Sequence, residues 1–180
     1  MTTDTTKTTR AGFVALIGAP NAGKSTLLNQ LVGQKVAIVT HKAQTTRARI
    51  RGITMEGNSQ IVFVDTPGIF TPKRRLDRAM VAAAWGGAEE ADATALIVDA
   101  KRTSPEHEGF QAILASLKDA KMPLVLVLNK VDEAPKERLM QLAAIANEAV
   151  PFAHTFMISA LSGSGVDDLR TCLAEMMPEG

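Results

Sequence analysis

The sequence predicts a three-layer α/β protein: a mostly parallel six-stranded sheet between helices, with one antiparallel edge strand. Three observations predict it. Nearly unbroken apolar runs recur, FVALIG (13–18), IVFVDT (61–66), ALIVDA (95–100) and PLVLVLN (123–129). Short runs rich in Val, Ile and Leu suit strands buried on both faces, hence a parallel sheet covered by helices. Segments of helical spacing separate these runs. Finally, Gly57-Asn58 lies between ARIRGITM (48–55) and SQIVFVDT (59–66), a two-residue hairpin signal that turns the 48–55 strand antiparallel.

Each element has its own signal. The threonine-rich MTTDTTKTTR (1–10) reads as a disordered, solvated tail, and residues 11–180 as one domain. Ser25 to Val32 is a short Leu-rich helix. Ser104-Pro105 reads as an N-cap followed by proline at the first helical position, with Glu106 and Glu108 in the first turn. Phe110, Ile113, Leu114 and Leu117 then repeat at core spacing. Leu139, Leu142, Ile145 and Ala146 do the same in the next helix. TFMIS (155–159) is a further buried strand. A last helix, Val166 to Met176, buries Leu169, Cys172 and Leu173. Arg47, Arg49 and Arg51 alternate on one face of the edge strand, where charge protects against edge-to-edge pairing.

Composition excludes several classes. With 180 residues, 46% hydrophobic and 22% charged, the chain is long enough and apolar enough for its own core. Its net charge of +1 argues against a domain that grips nucleic acid by charge alone. No apolar run reaches the roughly 18 residues of a membrane span, and the N-terminus has no signal-peptide core. The single cysteine, Cys172, has no internal disulfide partner.

The chemistry gathers in four short motifs. GAPNAGKS runs Gly18, Ala19, Pro20, Asn21, Ala22, Gly23, Lys24, Ser25, with Thr26 following. It matches G-x-x-x-x-G-K-[ST], with a buried strand before it and a helix after. Glycines let the loop wrap a phosphate, and amide N–H groups at a helix N-terminus form an anion nest. Lys24 adds a point charge between β- and γ-phosphates, and Ser25 offers a hydroxyl to Mg²⁺. DTPG (Asp65, Thr66, Pro67, Gly68) closes a strand, where ligands of open α/β sheets bind. Asp65 can hold a magnesium-bound water, and the Gly68 N–H can meet a γ-phosphate.

NKVD (129–132) selects the base. The Asp132 carboxylate presents two acceptors side by side, matching guanine N1–H and the 2-amino group. Adenine lacks that amino group and carries an acceptor at N1, so a buried pairing site rejects it. Asn129 can meet the base edge and brace the phosphate loop, and the Lys130 stem can cover the base plane. In ISA (158–160), the Ala160 N–H can donate to guanine O6 while Ser159 shapes the turn.

Together, GAPNAGKS, DTPG, NKVD and ISA resemble the signature of the GTP-binding P-loop proteins, over residues 12 to about 176. KVAIVTHKAQTTRARIRGI (35–53) and DTPGIFTPKRRLDRAM further resemble the two switch regions of the Era family, bacterial GTPases of small-subunit ribosome assembly. The resemblance implies a small G-protein-like fold, GTP hydrolysis with Mg²⁺, and Thr46 closing on the metal and γ-phosphate, with Thr45 the alternative. It also implies a monomer in the cytoplasm, with peripheral attachment to the inner membrane open, and partnership with the small ribosomal subunit and 16S rRNA. Family members add an RNA-binding KH domain with a GXXG loop. None follows residue 176, so the expectation is a GTPase domain without that arm, and no direct RNA recognition by this chain alone.

Ile69 stands where many small GTPases carry a water-orienting glutamine, so slow intrinsic turnover is expected. Among relatives with a hydrophobic residue there, the loop asparagine resembles a K⁺ ligand. Asn21 therefore either binds K⁺ or braces its own loop. Lys73, Arg74, Arg75 and Arg78 read as a solvated helix face, and His41, His107, His154 and Trp85 as structural. Two other classes remain to be weighed: a nucleotide-dependent interaction module with negligible turnover, and a phosphotransferase. Within GTPases, branches acting in tRNA modification or large-subunit assembly are the alternatives.

Overall fold

The computed structural model describes residues 9–18, 22–32, 49–65, 91–118, 120 and 122–179. Among them lie six strands, β1 (Arg10–Gly18), β2 (Arg49–Glu56), β3 (Ser59–Asp65), β4 (Ala93–Asp99), β5 (Leu124–Asn129) and β6 (His154–Met157). Four helices accompany them, α1 (Lys24–Val32), α2 (Glu108–Leu117), α3 (Lys136–Ala149) and α4 (Val166–Met176). The strands form one sheet in the order β2-β3-β1-β4-β5-β6. Only β2 runs antiparallel to its neighbour, at the edge, as the hairpin signal predicts. Gly57 has φ 62° at the first central position of that turn, the place a type II′ turn reserves for glycine. The β2 register slips between Ile50 and Gly52, so Arg51 is the extra residue of a bulge.

Side chains alternate along each strand, which splits the core in two. On one face Ile17, Val64, Leu96 and Leu128 meet Phe110, Ile113 and Leu114 of α2 and Leu142 of α3. On the other, Leu16, Phe63, Ile97 and Val127 meet Leu27 and Leu31 of α1 and Leu169 and Leu173 of α4. Both faces of β4 and β5 are buried over their whole length, which explains their lack of polar alternation. Each large side chain fully buried here contributes about 1.5–3 kcal/mol relative to exposure.

Four expectations are corrected. β6 is mostly exposed rather than buried on both faces, because it is the last strand and has one neighbour only. Ser104 is not the cap of α2. His107 is, with its Nδ1 accepting from Phe110 N at 3.3 Å, and residues 104–107 close a turn through His107 N to Ser104 O (3.0 Å). Glu106 therefore precedes the helix. Cys172 flanks the buried stripe of α4 and is partly exposed, while Val166 and Ala174 are buried beside Leu169 and Leu173.

Two ties fix the ends. β1 begins at Arg10, where the sequence expects tail, because Ala11 N donates to Pro178 O (3.1 Å) and Arg10 Nη1 to Met177 O (2.9 Å). The Arg170 guanidinium of α4 donates to the carbonyls of Leu31 (2.9 Å) and Gln30 (2.7 Å), satisfying the C-terminal end of α1. Among the described residues, no helix is long and apolar enough to cross a membrane.

Candidate nucleotide site

The predicted motifs converge at the carboxyl ends of the parallel strands. β1 ends at Gly18 and α1 opens at Lys24. A Cβ on Gly18 would lie 2.9 Å from Ile97 O, so the loop can leave the sheet only against β4's backbone as glycine. Gly23 has φ 98°, and a Cβ there would fall 2.2 Å from Asn129 Nδ2. Both glycines of the motif are thus required by close approach as well as by loop shape. Ser25 and Thr26 are exposed in the first turn of α1, Lys24 and Gly23 half-buried, and Ala22 buried.

Asn129 organises the site. It ends β5, is 2% exposed, and makes three hydrogen bonds. Its Nδ2 donates to Ala22 O of the glycine loop (2.9 Å). Its Oδ1 accepts from Lys130 N (2.8 Å) and from Ala160 N (2.9 Å). One side chain therefore joins the loops after β1, β5 and β6. The Ala160 amide, expected to face a base, donates to Asn129 in this structure. Ser159 is buried, and its amide donates to Ser164 O (3.0 Å) while its hydroxyl accepts from Ser162 N (3.3 Å). That turn is what the short ISA motif shapes.

After Asn129 the chain enters a 3-10 turn, Val131–Glu133, through Lys130 in the left-handed region. Asp132 is exposed there, and none of the described residues bonds its carboxylate. Lys130 Nζ reaches Asp99 Oδ2 at 3.0 Å. Lys101 Nζ pairs with Glu133 Oε1 at 2.8 Å, and its ammonium holds that carboxyl below its ordinary range. Asp99 carried no functional signal in the sequence reading. Asp65 was marked by the DTPG motif it opens, and no motif follows Asp99.

The backbone of Asp65 ends β3 opposite Leu16 of β1 and Arg49 of β2. Ala19, Pro20, Asn21, Thr45, Thr46, Thr66, Pro67, Gly68 and Ile69 lie outside the described residues, as do the basic run 73–78, His41 and Trp85. His154 opens β6 with its ring tilted against Phe156.

The sheet order, the glycine loop opening α1 and the NKVD turn on the neighbouring half of the sheet define a P-loop domain of the GTPase type. A family model described as 50S ribosome-binding GTPase matches residues 13–130, and the chain belongs to that family, as an Era-type GTPase domain. GTPase Era of Mesorhizobium japonicum is 62% identical over 175 residues, covering 97% of this chain and 56% of that protein. The chain thus spans about half the length of the curated relatives it matches. A crystal structure of Era in complex with MgGDPNP and nucleotides 1506–1542 of 16S ribosomal RNA superposes with a TM-score of 0.73 at 37% identity, over 96% of this chain and 58% of that one. A point variant of Aquifex aeolicus Era bound to GDP and AlF4⁻ gives 0.71 at 36% identity, over 95% and 58%.

Proposed function

We propose that this chain binds GTP with Mg²⁺, hydrolyses it slowly, and changes its switch regions with the state of the nucleotide. The observation that carries the reading is the Asn129 side chain, which ties Ala22, Lys130 and Ala160 together at 2.8–2.9 Å. A phosphate loop and a base loop held by one buried amide suit a ligand with phosphates at one end and a purine at the other.

Each residue then has a task. The backbone N–H groups of residues 18–26 other than Pro20, together with the Lys24 ammonium, receive the phosphates. Asp132 is free to accept two hydrogen bonds from guanine, and the Lys130 stem lies along the base. Asn129 Nδ2 and the Ala160 N–H would serve the base edge alongside the bonds they make to Ala22 O and to Asn129 Oδ1. Ser25 and Asp65 would hold Mg²⁺ together with phosphate oxygens, and Thr46 joins them by the family pattern. A hydroxyl and a carboxylate are the hard oxygen donors this ion takes, and it keeps waters and phosphates for the rest. When bound, it neutralises charge on the β- and γ-phosphates.

For hydrolysis, Lys24, Thr46 and the Gly68 N–H hold the γ-phosphate in line with a water. Ile69 can neither orient nor deprotonate that water, hence the slow rate. Asn21 is a candidate ligand for K⁺, which would stabilise charge developing between the phosphates. Loss of the γ-phosphate frees Thr46 and Gly68, and with them residues 34–47 and 67–80. The relative solved with nucleotides of 16S ribosomal RNA supports a place for the switch at the small ribosomal subunit, and the family resemblance extends this to subunit assembly in the cytoplasm.

The test is competition and single turnover. Bound fluorescent GDP should be displaced by GTP and resist a large excess of ATP. Phosphate release should require Mg²⁺ and run faster in K⁺ than in Na⁺ at equal ionic strength. Displacement by ATP would sink the guanine reading, and equal rates in the two salts, with Asn21→Ala no slower, would sink the K⁺ assignment. Binding without any phosphate release would leave an interaction module.

A further inference from the structure

We propose that Asp99 is a positioning residue of the base loop, whose carboxylate holds Lys130 in the orientation that lays its stem along the guanine plane. The inference rests on the guanine reading of the NKVD turn.

Asp99 closes β4, directly across from Asn129 in the parallel register, and is 6% exposed. Its two oxygens have separate duties. Oδ1 accepts from the amides of Lys101 (2.9 Å) and Arg102 (3.2 Å), which aims the carboxylate. Oδ2 is thereby presented to the next strand, where Lys130 Nζ donates to it at 3.0 Å. A carboxylate this buried needs a cation, and Lys130 supplies it.

Lys130 has the complementary need. Among the described residues it is the one non-glycine with positive φ, at 69°. That backbone state is disfavoured for a residue bearing a Cβ and persists where surrounding contacts over-determine it. Here the amide is held by Asn129 Oδ1 and the ammonium by Asp99. A lysine stem otherwise samples many rotamers, and ordering it before the ligand arrives removes that cost from binding.

The same turn holds the far side of the base loop. Lys101 pairs with Glu133, and Arg138 donates to Lys101 O. Asp132 therefore sits between two residues, Lys130 and Glu133, that are both anchored to residues 99–101. The turn after β4 sets where the base-reading carboxylate can be.

Asp99 could instead merely cap its own turn, and the substitution Asp99→Asn separates the two. Asparagine keeps a side-chain oxygen for the Lys101 and Arg102 amides while turning a donor toward the Lys130 ammonium. The measurement is dissociation of fluorescent GDP and IDP from the full chain, for wild type, Asp99→Asn, Lys130→Met and the double variant. Asp99→Asn should speed release about tenfold. The factor should match for GDP and IDP, since the stem touches the ring plane and not the 2-amino group. In the Lys130→Met background the same change should add no more than about twofold. Release unchanged in Asp99→Asn, or the full effect persisting without Lys130, overturns the proposal even if thermal unfolding of the nucleotide-free protein shifts. Wild-type protein that fails to prefer GDP over ADP would overturn the guanine reading itself and this proposal with it.

Discussion

The Asn129 side-chain amide donates to the Ala22 carbonyl at 2.9 Å, closing the site across 107 residues of chain. Replacing it by alanine strands the buried Ala22 carbonyl and Ala160 amide and the part-buried amide of Lys130. Unsatisfied buried groups cost about 1–3 kcal/mol each, so Asn129→Ala should lose about 3 kcal/mol after relaxation. For a domain this size that lowers the thermal midpoint by roughly 6–12 °C. Unfolding without nucleotide measures it. A midpoint equal to wild type would mean that the three loops are held by other contacts.

Asp132→Asn should act on the ligand and spare the fold, because Asp132 is exposed in its 3-10 turn. GDP affinity should fall about a thousandfold, as expected where a paired hydrogen-bonding edge is broken. XDP, with an oxygen in place of the 2-amino group, should bind better than to wild type. Titration calorimetry with both nucleotides checks this. Stability should stay within about 0.5 kcal/mol.

Arg170→Met should destabilise the domain with no partner or ligand involved. The guanidinium serves two carbonyls of α1 and pairs with Asp167 at 2.8 Å. Losing charge-assisted bonds at a helix C-terminus should cost about 2 kcal/mol. Arg170→Lys should recover less than half, since an ammonium cannot fork between the carbonyls of Gln30 and Leu31. Urea midpoints of the three proteins decide.

Stability should carry a small acid-side dependence from Glu133. The hydrogen bond and charge of Lys101 hold its carboxyl below the ordinary 4.5. A lowered folded value means that the unfolded chain takes up the proton first as pH falls. The contribution is thus complete above the ordinary value and disappears as pH drops through the folded one. The urea-midpoint gap between wild type and Glu133→Gln should hold at neutral pH and narrow as pH falls below the ordinary 4.5. A gap of constant size contradicts the pairing.

Much of this was legible in the residues. The apolar runs of β3, β4 and β5, and of β1 beyond the exposed Phe13, read as buried strands because both faces are covered, and Gly57-Asn58 marked the antiparallel strand pair seen among the described residues. The glycine loop and NKVD were legible because close approach and base pairing restrict residue type. Asp99 was not, since nothing along the chain tells that β4 ends beside β5, 31 residues from its lysine. His107 was hidden behind Ser104-Pro105, a better cap by residue type that the chain spends on a turn. Arg170 reads as an ordinary surface arginine on a helix, and its carbonyl partners lie 139 and 140 residues away. Cys172 failed because one step around α4 separates a buried position from a flanking one.

Asn129 also imposes a schedule on the newborn chain. A ribosome adds about 5–20 residues per second, so Ala22 waits roughly 5–20 s for Asn129 to be made. Ala160 follows 31 residues later still. Until residue 129 has been made the phosphate loop therefore exists without the side chain that will fasten it, and a nucleotide can be gripped at both ends only once residues 129–160 are in place.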